Sequence, residues 1–103
     1  METHSAKRVE IIIERPLERR LRAALAEADI TGYTIMHVRG GSGRSGEWTR
    51  EGQVSSAGGM LQFICIMHPD RLKALLEDVF PLVERHLGVV SITDCEVMRA
   101  ERF

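Results

Sequence analysis

The 103-residue sequence predicts one α+β domain, residues 1–103, with the element order β-α-β-β-α-β. Four short runs rich in β-branched and other apolar residues have the length and composition of strands. Two longer segments between them carry apolar residues at helical spacing, and prolines or glycines punctuate the chain. A chain of this length corresponds to a single domain.

The first strand is predicted over residues 7–14, KRVEIIIE, with Val9, Ile11 and Ile13 on one face and Ile12 on the other. Pro16 suits the first position of the helix that follows. The apolar stripe of that helix consists of Leu17, Leu21, Ala24, Leu25 and Ala28.

The second half of the chain repeats this pattern. Strands are predicted over 33–38 and 60–67, separated by a glycine-rich loop at 39–59. A second helix opens at His68 and Pro69 and stops at Gly88, and the last strand covers 89–98. Its predicted stripe is Leu72, Leu75, Leu76, Val79, Val83 and Leu87.

This order is that of the ferredoxin-like fold, a four-stranded antiparallel sheet with both helices on one face. The first and third strands carry apolar residues on both of their faces, and few charges interrupt them. A lone domain would expose the second face as a large apolar patch. We therefore expect an oligomer in which the sheets pack against one another.

Composition and charge exclude several classes of protein. The net charge of −1 gives no electrostatic footprint for nucleic acid, and no apolar run approaches the length of a membrane span. The N-terminus lacks the apolar core of a signal peptide. Cys65 and Cys95 lie in apolar runs, so we expect buried thiols in the cytoplasm rather than a disulfide.

The loop contains GSGRSG, residues 41–46, which formally matches the dinucleotide-binding fingerprint. That fingerprint requires a helix to begin within it, and no helical stripe follows here. Gly40, Gly41 and Gly43 could instead form a nest of N–H groups around an anion, with Arg39 and Arg44 contributing charge. A flexible loop with solvated arginines explains the stretch equally well. A loop of this length is usually functional or disordered.

Other sites have weaker support. His4, His37, His68 and His86 have no metal-ligand spacing, so a metal site could arise only between subunits, and no catalytic triad is visible. Glu47, Glu51, Asp94 and Glu96 are most simply solvated charges. Trp48 on a polar loop indicates either local packing or contact with a ligand or partner.

Four stretches together resemble the PII-like signalling proteins: KRVEIIIERP at the start, GYT at 32–34, GGSGRSGEW after the second strand, and CEVMRAERF at the end. The resemblance covers essentially the whole chain. It implies a ferredoxin-like homotrimer that binds adenine nucleotides in clefts between subunits. The loop at 39–59 would be the T-loop, which responds to ligand and engages a protein partner, often a membrane transporter or an enzyme.

The resemblance assigns the nucleotide site to residues of two subunits. The T-loop base would wrap the nucleotide, an apolar side chain would contact the base or sugar, and the segment before the last strand would cradle phosphate. In that order these are Gly41, Ser42, Gly43, Arg44 and Ser45; Ile12; and Gly88 and Val89. The neighbouring subunit would supply Gly32, Thr34, Arg99 and Arg102. The partner-facing part of the loop would include Glu47, Trp48 and Arg50.

Departures from the original nitrogen-sensing PII proteins narrow the expected ligand. The segment HLGVVS is short and has no lysine, Met60 replaces another phosphate-binding lysine, Ser45 replaces a glutamine, and the only tyrosine, Tyr33, is on a strand. We therefore expect ADP or AMP to be preferred over ATP, with cyclic AMP also a candidate. We expect neither 2-oxoglutarate sensing nor tyrosine modification.

The short T-loop is most similar to the branch linked to inorganic carbon, which includes carboxysome-associated PII proteins and regulators of bicarbonate transporters. By resemblance alone, bicarbonate would bind near Gly43, Arg44 and Gly46. The chain would then be a non-enzymatic regulator with no required cofactor. The alternatives are a metal-responsive trimer similar to the cation-tolerance proteins and a regulator of another transporter. An enzyme or an RNA-binding protein has less support, since ERPLERR has no glycine for a phosphate loop and Phe63 is the only aromatic in the central strands.

Overall fold

The computed structural model describes residues 1–43, 46–49, 59–86 and 88–99, with the backbone alone at 43 and 46–49. The strands are β1 (His4–Glu14), β2 (Tyr33–Val38), β3 (Gly40–Gly43), β4 (Gly46–Thr49), β5 (Met60–Met67) and β6 (Gly88–Val97). The helices are α1 (Glu18–Glu27) and α2 (Leu72–Glu84). Each helix follows a short 3₁₀ turn, Arg15–Leu17 before α1 and Pro69–Arg71 before α2.

Four strands form one antiparallel sheet in the order β2-β5-β1-β6, which confirms the ferredoxin-like fold. Val9 lies opposite Cys65 on one side and opposite Ile92 on the other. β1 and β5 are therefore interior strands, and β2 and β6 are edges. Buried pairing on both sides of β1 accounts for its run of isoleucines.

Both helices cover one face of this sheet. The core between sheet and helices combines alternate residues of β1 and β5 with α1 and α2: Val9, Ile11, Ile13, Leu61, Phe63, Cys65, Met67, Leu21, Leu25, Leu75, Val79 and Leu82. The rings of Tyr33 and Phe63 stack with centroids 5.9 Å apart. Among the described residues, no helix is long and apolar enough to cross a membrane.

Several predicted boundaries were wrong. β1 begins at His4 rather than at residue 7, because its first residues still pair with β6, His4 opposite Val97. The α-helical part of the first helix begins at Glu18, since Pro16 lies in the 3₁₀ turn. In α2, Leu82 is buried although the stripe omitted it, Leu76 is only half-buried, and Leu87 lies outside the described residues.

The predicted loop at 39–59 contains secondary structure. β3 and β4 form a separate antiparallel pair, with Gly41 opposite Trp48 and Gly43 opposite Gly46. Glycine disfavours strands, which is why composition alone indicated a loop. The segment ends at Gly59, whose φ of 109° suits glycine and whose carbonyl oxygen accepts a hydrogen bond from the Arg15 N–H at 3.1 Å.

The other face of the sheet, which we call the open face, carries no helix. Ile12, Ile64 and Ile66 are half-buried there, and Val89 is exposed. A polar network lies among them: Glu10 accepts hydrogen bonds from Gln62 at 2.6 Å and from Arg8 at 3.2 Å. Ser91 and Thr93 on β6 lie opposite Glu10 and Arg8, so the open face has a polar centre and is less apolar than predicted.

Candidate functional site

The candidate site residues are distributed between two ends of the sheet. At one end, which we call the loop end, β1 and β2 finish and β5 and β6 begin. Glu14, Met60 and Val38 lie side by side there, and Gly88 pairs with Ile13. β2 begins and β6 finishes at the opposite end, which we call the far end.

Ile12, Gly88 and Val89 meet at the loop end. Ile12 lies between Gln62 on β5 and Val89 on β6, so its side chain is on the open face beside the exposed Val89. A Cβ at Gly88 would lie 3.1 Å from Val83 Cγ1 and 3.3 Å from the Ile12 carbonyl oxygen. Only glycine fits between α2 and β1 there without movement of a neighbour. Gly88 is therefore a strand residue in close contact with β1, not merely the stop of a helix.

The base of the predicted T-loop also starts at the loop end. Gly41 and Ser42 belong to β3, which begins two residues after β2 finishes at Val38. The predicted nest of N–H groups at Gly40, Gly41 and Gly43 is not formed. In an antiparallel strand successive N–H groups point to opposite sides, and Gly59 is the one described glycine with positive φ.

Gly32, Thr34 and Arg99 lie toward the far end. The Gly32 carbonyl oxygen accepts a hydrogen bond from the Ile66 N–H at 3.0 Å. Thr34, exposed, lies opposite Ile64 on β5, and Arg99 follows the last residue of β6 by two positions. None of these residues approaches Gly88 along the sheet.

The separation of the two groups follows from strand geometry. β6 has ten residues, Gly88–Val97, which at the rise of a strand is roughly 30 Å. Val89 and Arg99 lie near opposite ends of that length. One mononucleotide cannot contact both within one chain, so Val89 and Arg99 share a site only if a second copy of the chain supplies Arg99. Thr34 lies nearer to the loop-end group, since Ile64 pairs it with Glu10, two residues before Ile12.

Some predicted residues fall outside what the structure describes. Arg44, Ser45, Arg50 and Arg102 are not described, and Gly46, Glu47 and Trp48 are described only as the backbone of β4. The predicted bicarbonate position and partner-binding residues therefore remain predictions.

The chemistry of the remaining groups gives no sign of a nucleophile among the residues described. Both cysteines are free, Cys65 buried and Cys95 partly buried. Burial raises the pKa of the Cys65 thiol from 9.0 to about 12, which keeps it protonated and unreactive. Among the residues that the structure describes, no group of three or more His, Cys, Asp or Glu side chains could hold a metal ion.

The network of Arg8, Glu10 and Gln62 was not predicted from the sequence. Its only signal was a single glutamine in the apolar run MLQFICIM and charges alternating with apolar residues in β1. These side chains meet only after β1 and β5 pair in register, since Glu10 and Gln62 are 52 positions apart.

Comparison with known proteins places this geometry in a family. The family model for nitrogen regulatory protein P-II matches residues 6–102. No curated protein matches the sequence closely enough to support a comparison.

Solved structures agree with that match. CPII, a nitrogen regulatory PII-like protein from Thiomonas intermedia K12 bound to ADP, AMP and bicarbonate, superposes with a TM-score of 0.90 at 27% identity, over 99% of this chain and 96% of that one. The same protein bound to ADP and bicarbonate gives 0.86 at 29% identity, with 99% and 97% covered. A PII-like signalling protein from Thermus thermophilus gives 0.79 at 22% identity, with 100% and 99% covered, and shares the fold.

Proposed function

The chain belongs to the nitrogen regulatory protein P-II family, and we propose that it is a non-enzymatic regulator that binds adenine nucleotides between the subunits of a homotrimer. The division of the candidate residues supports this proposal most directly. Ile12, Gly88 and Val89 lie at the loop end, whereas Thr34 and Arg99 lie toward the far end. A cleft between two copies would bring one group of each kind to the same ligand.

The open face supports the trimer. Its isoleucines are half-buried in a single chain, and the Glu10 carboxylate is already paired by Gln62 and Arg8. Packing of these faces against one another would remove apolar surface from water without leaving that carboxylate unpaired.

We propose ADP or AMP as the preferred ligand. In each cleft Ile12 would contact the base or sugar, and the backbone at Gly88 and Val89 would approach the phosphates of the nucleotide. Gly41, Ser42, Gly43, Arg44 and Ser45 would close over the ligand. Thr34, with Gly32, would line the cleft from the neighbouring subunit, and Arg99 and Arg102 would contribute phosphate contacts from the same side. The sequence has no lysine in HLGVVS or at Met60 for a third phosphate.

Regulation would pass through the segment at 39–59. β3 starts two residues from the end of β2, so a ligand at the loop end would contact the base of the hairpin directly. Differential binding to two conformations of this segment would shift its population and alter its affinity for a partner. Glu47, Trp48 and Arg50 would contact that partner.

The similarity to a protein with bound ADP, AMP and bicarbonate supports a role in inorganic carbon handling. We propose that bicarbonate binds near Gly43, Arg44 and Gly46. The partner would be a bicarbonate transporter or a carboxysome component, and the protein would act in the cytoplasm.

Isothermal calorimetry with AMP, ADP, ATP and cyclic AMP tests the proposal. We expect AMP or ADP to bind more tightly than ATP. We also expect bicarbonate to change the affinity for the nucleotide, by the same factor by which the nucleotide changes the affinity for bicarbonate, because two coupled ligands act reciprocally. Arg99→Gln should weaken ADP and AMP binding, whereas Arg71→Gln, an exposed arginine outside the site, should not. Absence of binding by all four nucleotides would overturn the proposal, and ATP binding tenfold tighter than ADP would overturn the ligand preference.

A further inference from the structure

A cluster of arginines lies on α1 and the turn before it. Arg15, Arg19, Arg20 and Arg22 are all exposed and, with Pro16 and Glu18, line an open groove of about 610 Å³. Arg22 pairs with Glu18 at 2.8 Å. Arg15, Arg19 and Arg20 make no ion pair with any described residue.

This placement of charge is unfavourable for the helix itself. Cations near a helix N-terminus oppose the helix dipole, and like charges three or four residues apart repel. Arg15 and Arg19 have that spacing, as do Arg19 and Arg22. The other end of α1 has the reverse arrangement, with Glu27 in its last turn and no basic residue there. Apart from the Glu18–Arg22 pair, the charges of this cluster are therefore not arranged for helix stability, which suggests that an external partner uses Arg15, Arg19 and Arg20.

The cluster lies at the loop end of the domain. α1 follows β1 after one 3₁₀ turn, and the Arg15 N–H donates a hydrogen bond to the carbonyl oxygen of Gly59, the residue before β5. Two further arginines, Arg39 after β2 and Arg85 after α2, belong to the same end. Carboxylates at the far end stand beside cations: Asp29 pairs with Arg71, and Asp94 pairs with Lys7. At the loop end, the described arginines outnumber the described carboxylates Glu14, Glu18 and Glu84.

The composition of the groove limits the kind of partner. The groove has no aromatic side chain, and Pro16 is its only apolar one, so apart from its arginines it offers little to anchor a protein partner. Guanidinium groups bind phosphate in bidentate fashion. An extended anionic surface therefore fits the cluster better than a protein epitope does.

The symmetry of the proposed homotrimer also favours a flat anionic surface as the partner. A cyclic axis places equivalent residues of all three copies at the same height, so the three clusters lie in one plane. A flat sheet of phosphates can contact all three at once, whereas a nucleic acid duplex, being a rod, cannot do so easily. We propose that the loop end docks peripherally on an anionic phospholipid bilayer, with Arg15, Arg19 and Arg20 contacting the lipid phosphates. This inference depends on the proposed function through the trimer.

Vesicle sedimentation tests the proposal. The full chain is mixed with vesicles of phosphatidylcholine alone or with an equal share of phosphatidylglycerol. We expect binding only to the anionic vesicles, and its loss in about 1 M salt, where charges are screened within ~3 Å. Arg19→Gln/Arg20→Gln should weaken this binding at least tenfold. The matched control, Arg71→Gln/Lys73→Gln, removes two exposed cations from the start of the other helix and should change it less than twofold.

Several results would overturn the docking. These are no binding to anionic vesicles, equal binding to neutral vesicles, and equal losses in the two double variants. Displacement from the vesicles by poly-glutamate or by duplex DNA at matched charge would assign the cluster to a protein or a nucleic acid instead. ADP calorimetry and sedimentation equilibrium on the same samples separate the two proposals. A trimer that binds ADP but ignores vesicles contradicts only the docking, and a protein that binds no nucleotide contradicts the proposed function.

Discussion

Gln62 Nε2 donates a hydrogen bond to Glu10 Oε1 at 2.6 Å, joining β5 to β1 in the middle of the open face. Arg8 Nη1 donates to the other carboxylate oxygen of Glu10 at 3.2 Å. The carboxylate is thus an acceptor shared by two donors on that face. These hydrogen bonds should stabilise the protein most when other subunits cover the open face.

The variant Glu10→Ala should therefore destabilise the trimer by about 1–3 kcal/mol per subunit, because Arg8 and Gln62 would lose their acceptor in a buried interface. Sedimentation equilibrium and thermal unfolding measure this. Asp94→Ala is the matched control. The Asp94 side chain is 84% exposed and pairs with Lys7, so its removal should change the stability of the trimer little. Equal effects of the two variants would show that the open face stays in water.

A methyl group at Gly88 fits only if a neighbouring atom moves. In Gly88→Ala the new Cβ would lie 3.1 Å from Val83 Cγ1 and 3.3 Å from a main-chain oxygen of β1. We expect a loss of about 1–3 kcal/mol in the free energy of unfolding, together with weaker ADP binding. Val83→Ala in the same chain should recover part of the stability, since it removes one of the contacts.

Gly32→Ala is the control for that measurement. Gly32 has no neighbour that a Cβ would meet closely, and its φ is not positive. Its effect on denaturant unfolding should be small. A Gly88→Ala protein as stable as the parent would contradict the packing described at the start of β6.

The two-copy site predicts complementation between inactive variants. Gly88→Ala damages the loop-end group and Arg99→Gln damages the far-end group. If each cleft uses one group from each of two subunits, coexpression of the two variants should restore about a quarter of the clefts by random assortment. Calorimetry on purified mixed trimers would count the sites. A chain that carries both substitutions should restore no clefts. If the two single variants fail to complement each other, the two groups do not come from different subunits.

The cysteines should differ sharply in reactivity. Cys65 is buried with its pKa raised to about 12, whereas Cys95 is partly exposed. At neutral pH a thiol reagent should modify Cys95 rapidly and Cys65 only on unfolding. Mass spectrometry of the modified protein distinguishes them, and rapid modification of Cys65 in the folded protein would contradict its placement in the core.

The same shift has a consequence for stability. The pKa of the Cys65 thiol is higher in the folded protein than its usual 9.0. The protonated thiol therefore makes its full contribution to the free energy of unfolding below pH 9.0, and this contribution is lost as the pH rises toward about 12. Wild-type protein should therefore lose stability over that interval faster than Cys65→Ala. Parallel denaturation curves of the two proteins across the interval would show that the thiol does not ionise there.

Apolar periodicity was enough to predict the four main strands and both helices, because each has to bury one face. It could not predict the β3 and β4 pair, since that ladder is made by the main chain of glycines with little strand preference. Nor could it predict the contact between Gln62 and Glu10, which depends on the register of distant strands. The candidate site was predicted only by resemblance, and in the proposed trimer part of it would come from a second chain, which no pattern within one chain can place.

The segment at 39–59 leaves and re-enters the sheet at neighbouring strands. Val38 pairs directly with Met60, and the Gly59 carbonyl oxygen accepts a hydrogen bond from the Arg15 N–H. Its ends are therefore held close together by the sheet, whatever lies between them. Doubling the length of such a segment costs only about 0.6 kcal/mol in closure entropy. Evolution, or an engineer, can thus exchange the whole segment for one of different length and direct the proposed nucleotide sensor to a different target without rebuilding its core.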